Sequence, residues 1–490
     1  MEPEAVIAPL PFVADLPGDW DGWLRRAAIV PGTPFLLSPR LEYDIELNAY
    51  FQSGAMIGRA LKTQEGYARD LAAFLTFAER RRSGRSWKDL DEADHIAYHF
   101  WRRRDPSGPN VLGATWNREV AAVNEFFRWA LKQGLVHASP IPQASRRPVP
   151  VSAGRGYRGV LDELRPATYA SDVVRDRTKW LPPEDYRRWR DVGVRGFSSK
   201  GLPQTGFRGR WADRNALFCD FMVRTGLRIS EQAALTVFDV PSIVESEGYQ
   251  RFWLPPAIAK GRSARWIYVP SSLVREMAAY MRDDRRAVIE FAQSDGRYRR
   301  VRRPYVVENP ARPVATVGLG SGAKSIVKVA HLGLAERRRL FVERPSGLEP
   351  AAIWLGEFGA PISVDSWKKM FADANDRCVR AGVTLAAHAH MLRHTFAVVT
   401  LEQLQRGRIA ALGDLNPDQR GHYTRIFGDP LDWVRRRLGH RSVVTTQKYL
   451  HALAELEMHT RMALVPETWE HPGRTAEVDH APASGHAVTR

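Results

Sequence analysis

The sequence predicts two folded domains: an all-α domain, then a mainly α domain with a small antiparallel β-sheet. Three observations predict this. The chain has 490 residues, too many for a single hydrophobic core. Apolar residues recur at helical spacing in both halves. One segment, residues 251–269, is instead rich in Phe, Trp, Ile, Tyr and Val around a glycine-containing turn, which reads as a β-hairpin. With 44% hydrophobic and 10% aromatic residues, the chain has the material for real cores, and wholesale disorder is excluded.

Taken in order, residues 1–54 form a Pro-rich N-terminal extension with Trp20 and Trp23 as candidate docking anchors. Residues 55–146 form the all-α domain. Tyr67, Leu71, Phe74 and Phe77/Ala78 recur near helical spacing, as do Val120, Val123, Phe127 and Ala130. Their exposed faces carry Arg80, Arg81, Arg82 and Arg85, then Arg102, Arg103 and Arg104. Residues 147–179, rich in Pro, Arg, Ser and Gly, read as a linker. The second domain runs over 180–466, with helices near 214–225 and 391–404. Residues 467–490 lack periodicity and are expected to be a disordered tail.

The charge balance narrows the partners. Lys and Arg number 72 against 55 Asp and Glu, a net charge of +17 with a pI near 10.1. A polyanion is the natural partner, nucleic acid first among them. Two cysteines, Cys219 and Cys378, exclude a disulfide framework and a Cys-rich zinc site and fit a reducing compartment. The acidic first ten residues do not read as a signal peptide. No run approaches the ~20 apolar residues a membrane span needs. The expectation is a cytoplasmic, nucleoid-associated, bacterial protein with no membrane partner.

Four local patterns carry chemistry. In Arg224-Thr-Gly-Leu-Arg228-Ile-Ser-Glu231, an apolar helix ends at Gly226 and Arg228 stands just beyond the break. Lys260 lies in Ala259-Lys-Gly-Arg262, at the expected hairpin tip, and no other Lys occurs between 201 and 323. In His390-Met-Leu-Arg393-His394, positions i, i+3 and i+4 share one helix face. Arg there suits phosphate charge, and His can move a proton near neutral pH. In Leu438-Gly-His440 to Tyr449, Gly439 ends one helix and Tyr449 follows nine residues after His440. Each pattern alone fits a bland reading: a helix cap, a solvated turn, a polar helix face, a core tyrosine.

Together and in this order, Arg228, Lys260, His390, Arg393, His440 and Tyr449 resemble the catalytic set of the tyrosine recombinases, the phage integrase family. The likeness extends to Thr-Gly-Leu before Arg228, Leu-Arg-His around Arg393 and Leu-Gly-His before Arg441. Residues 55–146 resemble the family's core-binding domain, from Thr63 to Phe74 and from Thr115-Trp-Asn-Arg118 to Trp129.

The resemblance implies a two-domain clamp on double-stranded DNA and a 3′-phosphotyrosyl intermediate. Tyr449 would be the nucleophile, Arg228 and Arg393 the phosphate clamp, and His440 a further donor. His390 would be the base and Lys260 the acid. Arg118, Arg262, Arg265 and His394 are further expected DNA contacts. No cofactor and no metal are implied. The expected outcome is integration, excision or transposition of a mobile element. A tetramer on synapsed DNA is expected, with accessory recombinases or a directionality factor as further partners. A catalytically silent DNA-binding regulator of the same fold is the alternative.

The spacing departs from compact members of the family. Between Lys260 and His390, and between His394 and His440, the chain is long, and insertions are expected near 285–350 and 405–430. Within the first lies Gly-Leu-Gly-Ser-Gly-Ala-Lys-Ser, 318–325, close to a phosphate-cradling loop but with Ala323 where that loop needs Gly. His388, His390 and His394 do not form a metalloprotease helix, because Met391 stands where Glu is required.

Overall fold

A computed structural model describes residues 20–26, 28–145, 164–172, 178–204, 206–241, 248–318, 324–413 and 429–462. The chain divides into two compact units, 1–176 and 177–490. Most of the expected 405–430 insertion and all of the 467–490 tail lie outside the described residues.

The first unit is built on α1 (Trp20–Arg26), α2 (Ile45–Gln52), α3 (Gly54–Ile57), α4 (Leu61–Arg81), α5 (Glu92–Arg103) and α6 (Gly113–Lys132). The periodic residues of α4 and α6 face each other: Leu71, Phe74 and Phe77 meet Val120, Val123 and Phe127 in one core. A capping box between Asp91 and Asp94 starts α5.

Residues 45–54, assigned from sequence to an extension, belong to this core. Tyr50 and Phe51 of α2 are buried there, and the Tyr50 ring meets that of Phe126 edge-on at 5.3 Å. The expected linker over 147–179 also differs. Strand β1 (Gln143–Ser145) pairs antiparallel with β2 (Leu164–Pro166). Beyond β2, the Trp116 Nε1 donates to the Thr168 carbonyl at 2.7 Å, and Asn117 exchanges two bonds with the Ala170 backbone. Side chains of α6 thus hold a segment whose composition alone reads as a spacer.

The arginine runs of this unit are partly spent internally. Arg82 and Arg85 both pair with Asp94, Arg102 with buried Glu119, and Arg103 with Asp172. Arg81 lies over the Trp101 ring.

The second unit contains α7 (Pro183–Trp189), α8 (Ala212–Thr225), α9 (Ile229–Ala233), α10 (Ser271–Arg282), α11 (Asp284–Ser294), α12 (Leu334–Arg337), α13 (Val364–Arg380), α14 (Ala389–Gly413), α15 (Pro430–Leu438) and α16 (Val444–Met462). Strands β3 (Tyr249–Leu254) and β4 (Arg265–Pro270) form the expected antiparallel hairpin. Its inner residues Phe252, Leu254, Ile267 and Val269 join α8, α10 and α13 in the main core. There the Phe218 and Trp367 rings stack with centroids 3.6 Å apart.

The first insertion folds into a sheet of its own. Strands β5 (Tyr305–Val307), β6 (Val314–Gly318), β7 (Lys324–Lys328), β8 (Leu340–Arg344) and β9 (Gly347–Pro350) lie in the order β7-β6-β5-β8-β9. The β5–β8 pair is parallel, so the sheet is mixed rather than purely antiparallel. The Gly-rich run at 318–325 connects two antiparallel strands, with Gly318 opposite Lys324. A phosphate-cradling loop must open a helix, and this one leads into a strand, so the nucleotide reading fails on context.

Candidate active site

Two left-handed glycines place the key arginine and histidine. Helix α8 ends at Gly226, whose φ of 65° lets its N–H return to the Met222 carbonyl at 3.0 Å. Arg228 follows in an extended conformation as the cap of α9. Helix α15 ends at Gly439, φ 64°, and the chain turns to present His440. Between them, α14 carries His390, Arg393 and His394 on one face.

The fully buried carboxylate of Glu231 ties three elements together. It accepts the Arg228 backbone N–H at 3.0 Å and the Arg228 guanidinium at 2.8 Å. It accepts the Lys260 backbone N–H at 3.3 Å and Arg265 at 2.6 Å. Burial opposes its charge, but Arg265 and Arg228 outweigh that penalty and hold it at about 2. None of the local sequence patterns gives Glu231 a role of its own. Its position three residues after the helix-opening Arg228 was the available signal.

Arg265, expected to contact DNA, is instead turned inward. It is 6% exposed, paired with Glu231, and its Nε donates to the Arg437 carbonyl at 2.8 Å. Lys260 is exposed, in a short 3-10 turn at Lys260–Arg262. The hairpin connection is not a tight tip, since Ile258 and Ala259 before it are buried in the core. Arg262 is exposed beside Lys260, and Arg441 donates to the Gly261 carbonyl at 2.8 Å. Arg118, in the first unit, pairs with Asp70 while staying largely exposed.

Arg393 is buried at 1% exposure. It donates to the Gly226 carbonyl at 2.5 Å, to the Leu438 carbonyl, and to His440 Nε2 at 3.4 Å, while its Nε has no partner. Burial, then the neighbouring Arg228, pulls it down to about 9. His440 Nδ1 meets Thr446 Oγ1 at 3.0 Å. Tyr449 is wholly enclosed among Val434, Leu438, Ala397 and Ala452. His394, expected to contact DNA, is instead buried at 8% exposure with its Nδ1 2.8 Å from the Tyr449 hydroxyl, and the Tyr449 ring lies nearly parallel to that of His440 with centroids 6.3 Å apart. Burial pushes Tyr449 up to about 12 against the opposing pull of Arg393 and Arg228.

Each imidazole is held neutral. Burial, then Lys448, lowers His390 to about 4 and His394 to about 2; burial, then Arg393 and Arg228, lowers His440 to about 3. His390 is exposed, with its ring centroid 4.3 Å from that of His394.

The site therefore gathers Arg393, His440, His394 and Tyr449 through direct contacts, with Arg228 near enough to act on Arg393, His440 and Tyr449 through its charge and tied by Glu231 to the Lys260 turn. Two guanidinium groups and several neutral imidazole nitrogens around a phenol suit the binding of a phosphodiester.

Residues 55–134 match the family model described as phage integrase, N-terminal SAM-like domain. A stretch of 102 residues is 38% identical to tyrosine recombinase XerC of Rhodospirillum centenum (strain ATCC 51521 / SW), covering 19% of this chain. The chain thus spans 28% of the length of that relative. Among solved structures, similarity is found to the XerH site-specific recombinase bound to palindromic difH substrate in a post-cleavage complex. That match has 15% identity and a TM-score of 0.46, covering 83% of this chain and 81% of that one. The Tn1549 transposon integrase with a circular intermediate DNA matches at 12% identity and a TM-score of 0.46, covering 85% and 98%.

Proposed function

From its resemblance to the tyrosine recombinases as the premise, we propose that this protein breaks and rejoins duplex DNA at specific sites through a covalent 3′-phosphotyrosyl link to Tyr449. The observation that carries the reading is that the charges of Arg393 and Arg228 bear on the Tyr449 phenol while the His440 ring lies alongside that of Tyr449. Those residues come from separate elements spread over more than 200 positions of sequence.

The chemistry follows from charge. As the phenol oxygen bonds to phosphorus, negative charge gathers on the non-bridging oxygens, and Arg228 and Arg393 neutralise it with His440 as a further donor. Loss of one such contact costs about 2–4 kcal/mol of transition-state stabilisation. The phenol must lose its proton, and His390 is the imidazole assigned to accept it. The 5′-oxygen leaves with a proton from Lys260. The energy of the broken bond is kept in the tyrosyl ester. Integration, excision or transposition of a mobile element is the process such chemistry serves, with a tetramer on paired sites as its assembly.

One observation favours the alternative of a silent DNA-binding relative. Tyr449 is 0% exposed, so its oxygen reaches a phosphorus only if α16 or its neighbours shift. An adduct assay separates the two readings. Nicked duplexes from the DNA flanking the gene are incubated with wild-type protein and with Tyr449→Phe, then run under denaturing conditions. A protein–DNA adduct with wild type alone supports strand transfer. Tight binding without an adduct on any flanking fragment supports the silent reading.

A further inference from the structure

Among the described residues, the hydroxyl of Tyr449 has one hydrogen-bonding side-chain partner, and it is not the histidine assigned as base. His394 is 8% exposed and places Nδ1 2.8 Å from the phenol oxygen. His390 is exposed and meets the His394 ring rather than the Tyr449 hydroxyl.

We propose that His394 is the positioning residue of the nucleophile: its neutral ring accepts the phenol hydrogen at Nδ1 and so fixes where the Tyr449 oxygen points. The inference rests on the strand-transfer reading above and adds a residue to it. A phenol hydrogen can lie to either side of the C–O axis in the plane of its ring, and packing around the enclosed ring does not choose between the two. A fixed acceptor removes that freedom and leaves the oxygen lone pairs directed away from His394.

For this the ring must stay unprotonated, since a protonated imidazole has no lone pair to offer. The groups around it enforce that. His390 and Arg393 face it from its own helix, Lys448 from α16, and His388 from just ahead of α14. Burial and these neighbours keep His394 neutral throughout the physiological range. His394 therefore ends each cycle as it began. The shift that brings the enclosed Tyr449 oxygen to the phosphate must also bring it within reach of His390, which takes the phenol proton as the oxygen bonds to phosphorus; the P–O5′ bond breaks, and the departing 5′-oxygen takes its proton from Lys260.

The experiment compares full-length wild type, His394→Ala, His394→Asn and Tyr449→Phe on the same nicked duplex. Adduct formation rate, duplex affinity and melting temperature are read for each across pH 6 to 9. Asn is the informative replacement, because its side-chain oxygen can stand where Nδ1 stood but cannot take up a proton. The expected result is duplex affinity within about twofold of wild type for both His394 variants. The adduct rate falls on the order of a hundredfold for His394→Ala. It recovers most of the way for His394→Asn, with an unchanged pH profile. A wild-type rate in His394→Ala overturns the proposal. So does an Asn variant as slow as Ala, which would make His394 a proton acceptor instead. An adduct missing from wild type itself removes the underlying strand-transfer reading, whereas an adduct present in wild type and absent from Tyr449→Phe keeps that reading and leaves only the positioning to be decided by the His394 lanes.

Discussion

The Glu231 carboxylate is the residue on which the site's electrostatics turn. It neutralises Arg265, which has almost no access to water, and orients Arg228 from both its backbone and side chain. Glu231→Gln keeps the shape and removes the charge, leaving Arg265 as a buried cation without a counter-ion. The expected cost is about 3–5 kcal/mol, seen as a lowered melting temperature. The adduct rate also falls, because Arg228 loses its anchor. A variant as stable as wild type would mean that Arg265 finds water or another partner.

Titration at the same scale has a definite sign. His390, His394 and His440 all have folded values well below the ordinary imidazole value near 6.5. Their contribution to stability is complete above that value. As pH falls below it, the unfolded chain binds protons that the folded unit refuses, and stability declines down to each folded value. Glu231, held at about 2, adds a further loss below the ordinary carboxylate range. Melting temperature should therefore drop from about pH 6.5 downward, and a flat profile between pH 7 and 5 would contradict the neutral-imidazole site.

Residue identity was the most legible level of the sequence, and pairing the least. Arg228, Arg393, His440 and Tyr449 could be picked from short motifs. That His394 rather than His390 meets Tyr449 depends on a contact across 55 positions, which no local pattern encodes. Arg265 shows the converse: beside Arg262 it reads as a surface cation, yet Glu231, 34 positions away, draws it inside.

At the scale of elements, Gly226 is the joint on which the arginine depends. Its φ is 65°, and a Cβ there would stand 2.3 Å from the Phe396 ring of α14. Gly226→Ala meets both backbone strain and a clash. A loss on the order of 1–3 kcal/mol is expected from the backbone alone, with reduced adduct formation as Arg228 shifts. Urea unfolding checks the first and the adduct assay the second; wild-type values in both would mean that the α8–α9 turn does not set the site.

Long periodic helices such as α4 and α6, and the β3–β4 hairpin, were legible because their signals are local. The insertion sheet was not. Its strands run three to five residues, too short for alternation to register. The β5–β8 pairing is parallel and long-range. Nor does composition reveal that the stretch after β2 is hooked at Thr168 and Ala170 to α6 by Trp116 and Asn117; only the partner side chains make it part of a fold.

At the scale of the whole molecule, a net charge of +17 sets how DNA should be held. Phosphate contacts by Arg and Lys release counterions, so duplex affinity should fall steeply with salt. A protein making 6–10 such contacts loses roughly 10³–10⁵ in affinity between 50 and 200 mM salt. Arg103, Arg102 and Arg265, already paired within the protein, should contribute little to that slope, whereas exposed Arg262 should contribute. A slope near zero in a salt titration would remove DNA as the polyanion that the charge implies.

The measurement that bears most directly on the account is mass spectrometry of the adduct trapped on a nicked duplex. The protein is digested and the peptide carrying DNA is sequenced. The account predicts one modified peptide, with a 3′-phosphate esterified to Tyr449 and a free 5′-hydroxyl on the released strand. A nucleotide on any other side chain, or a 5′-phosphate link at Tyr449, would contradict it.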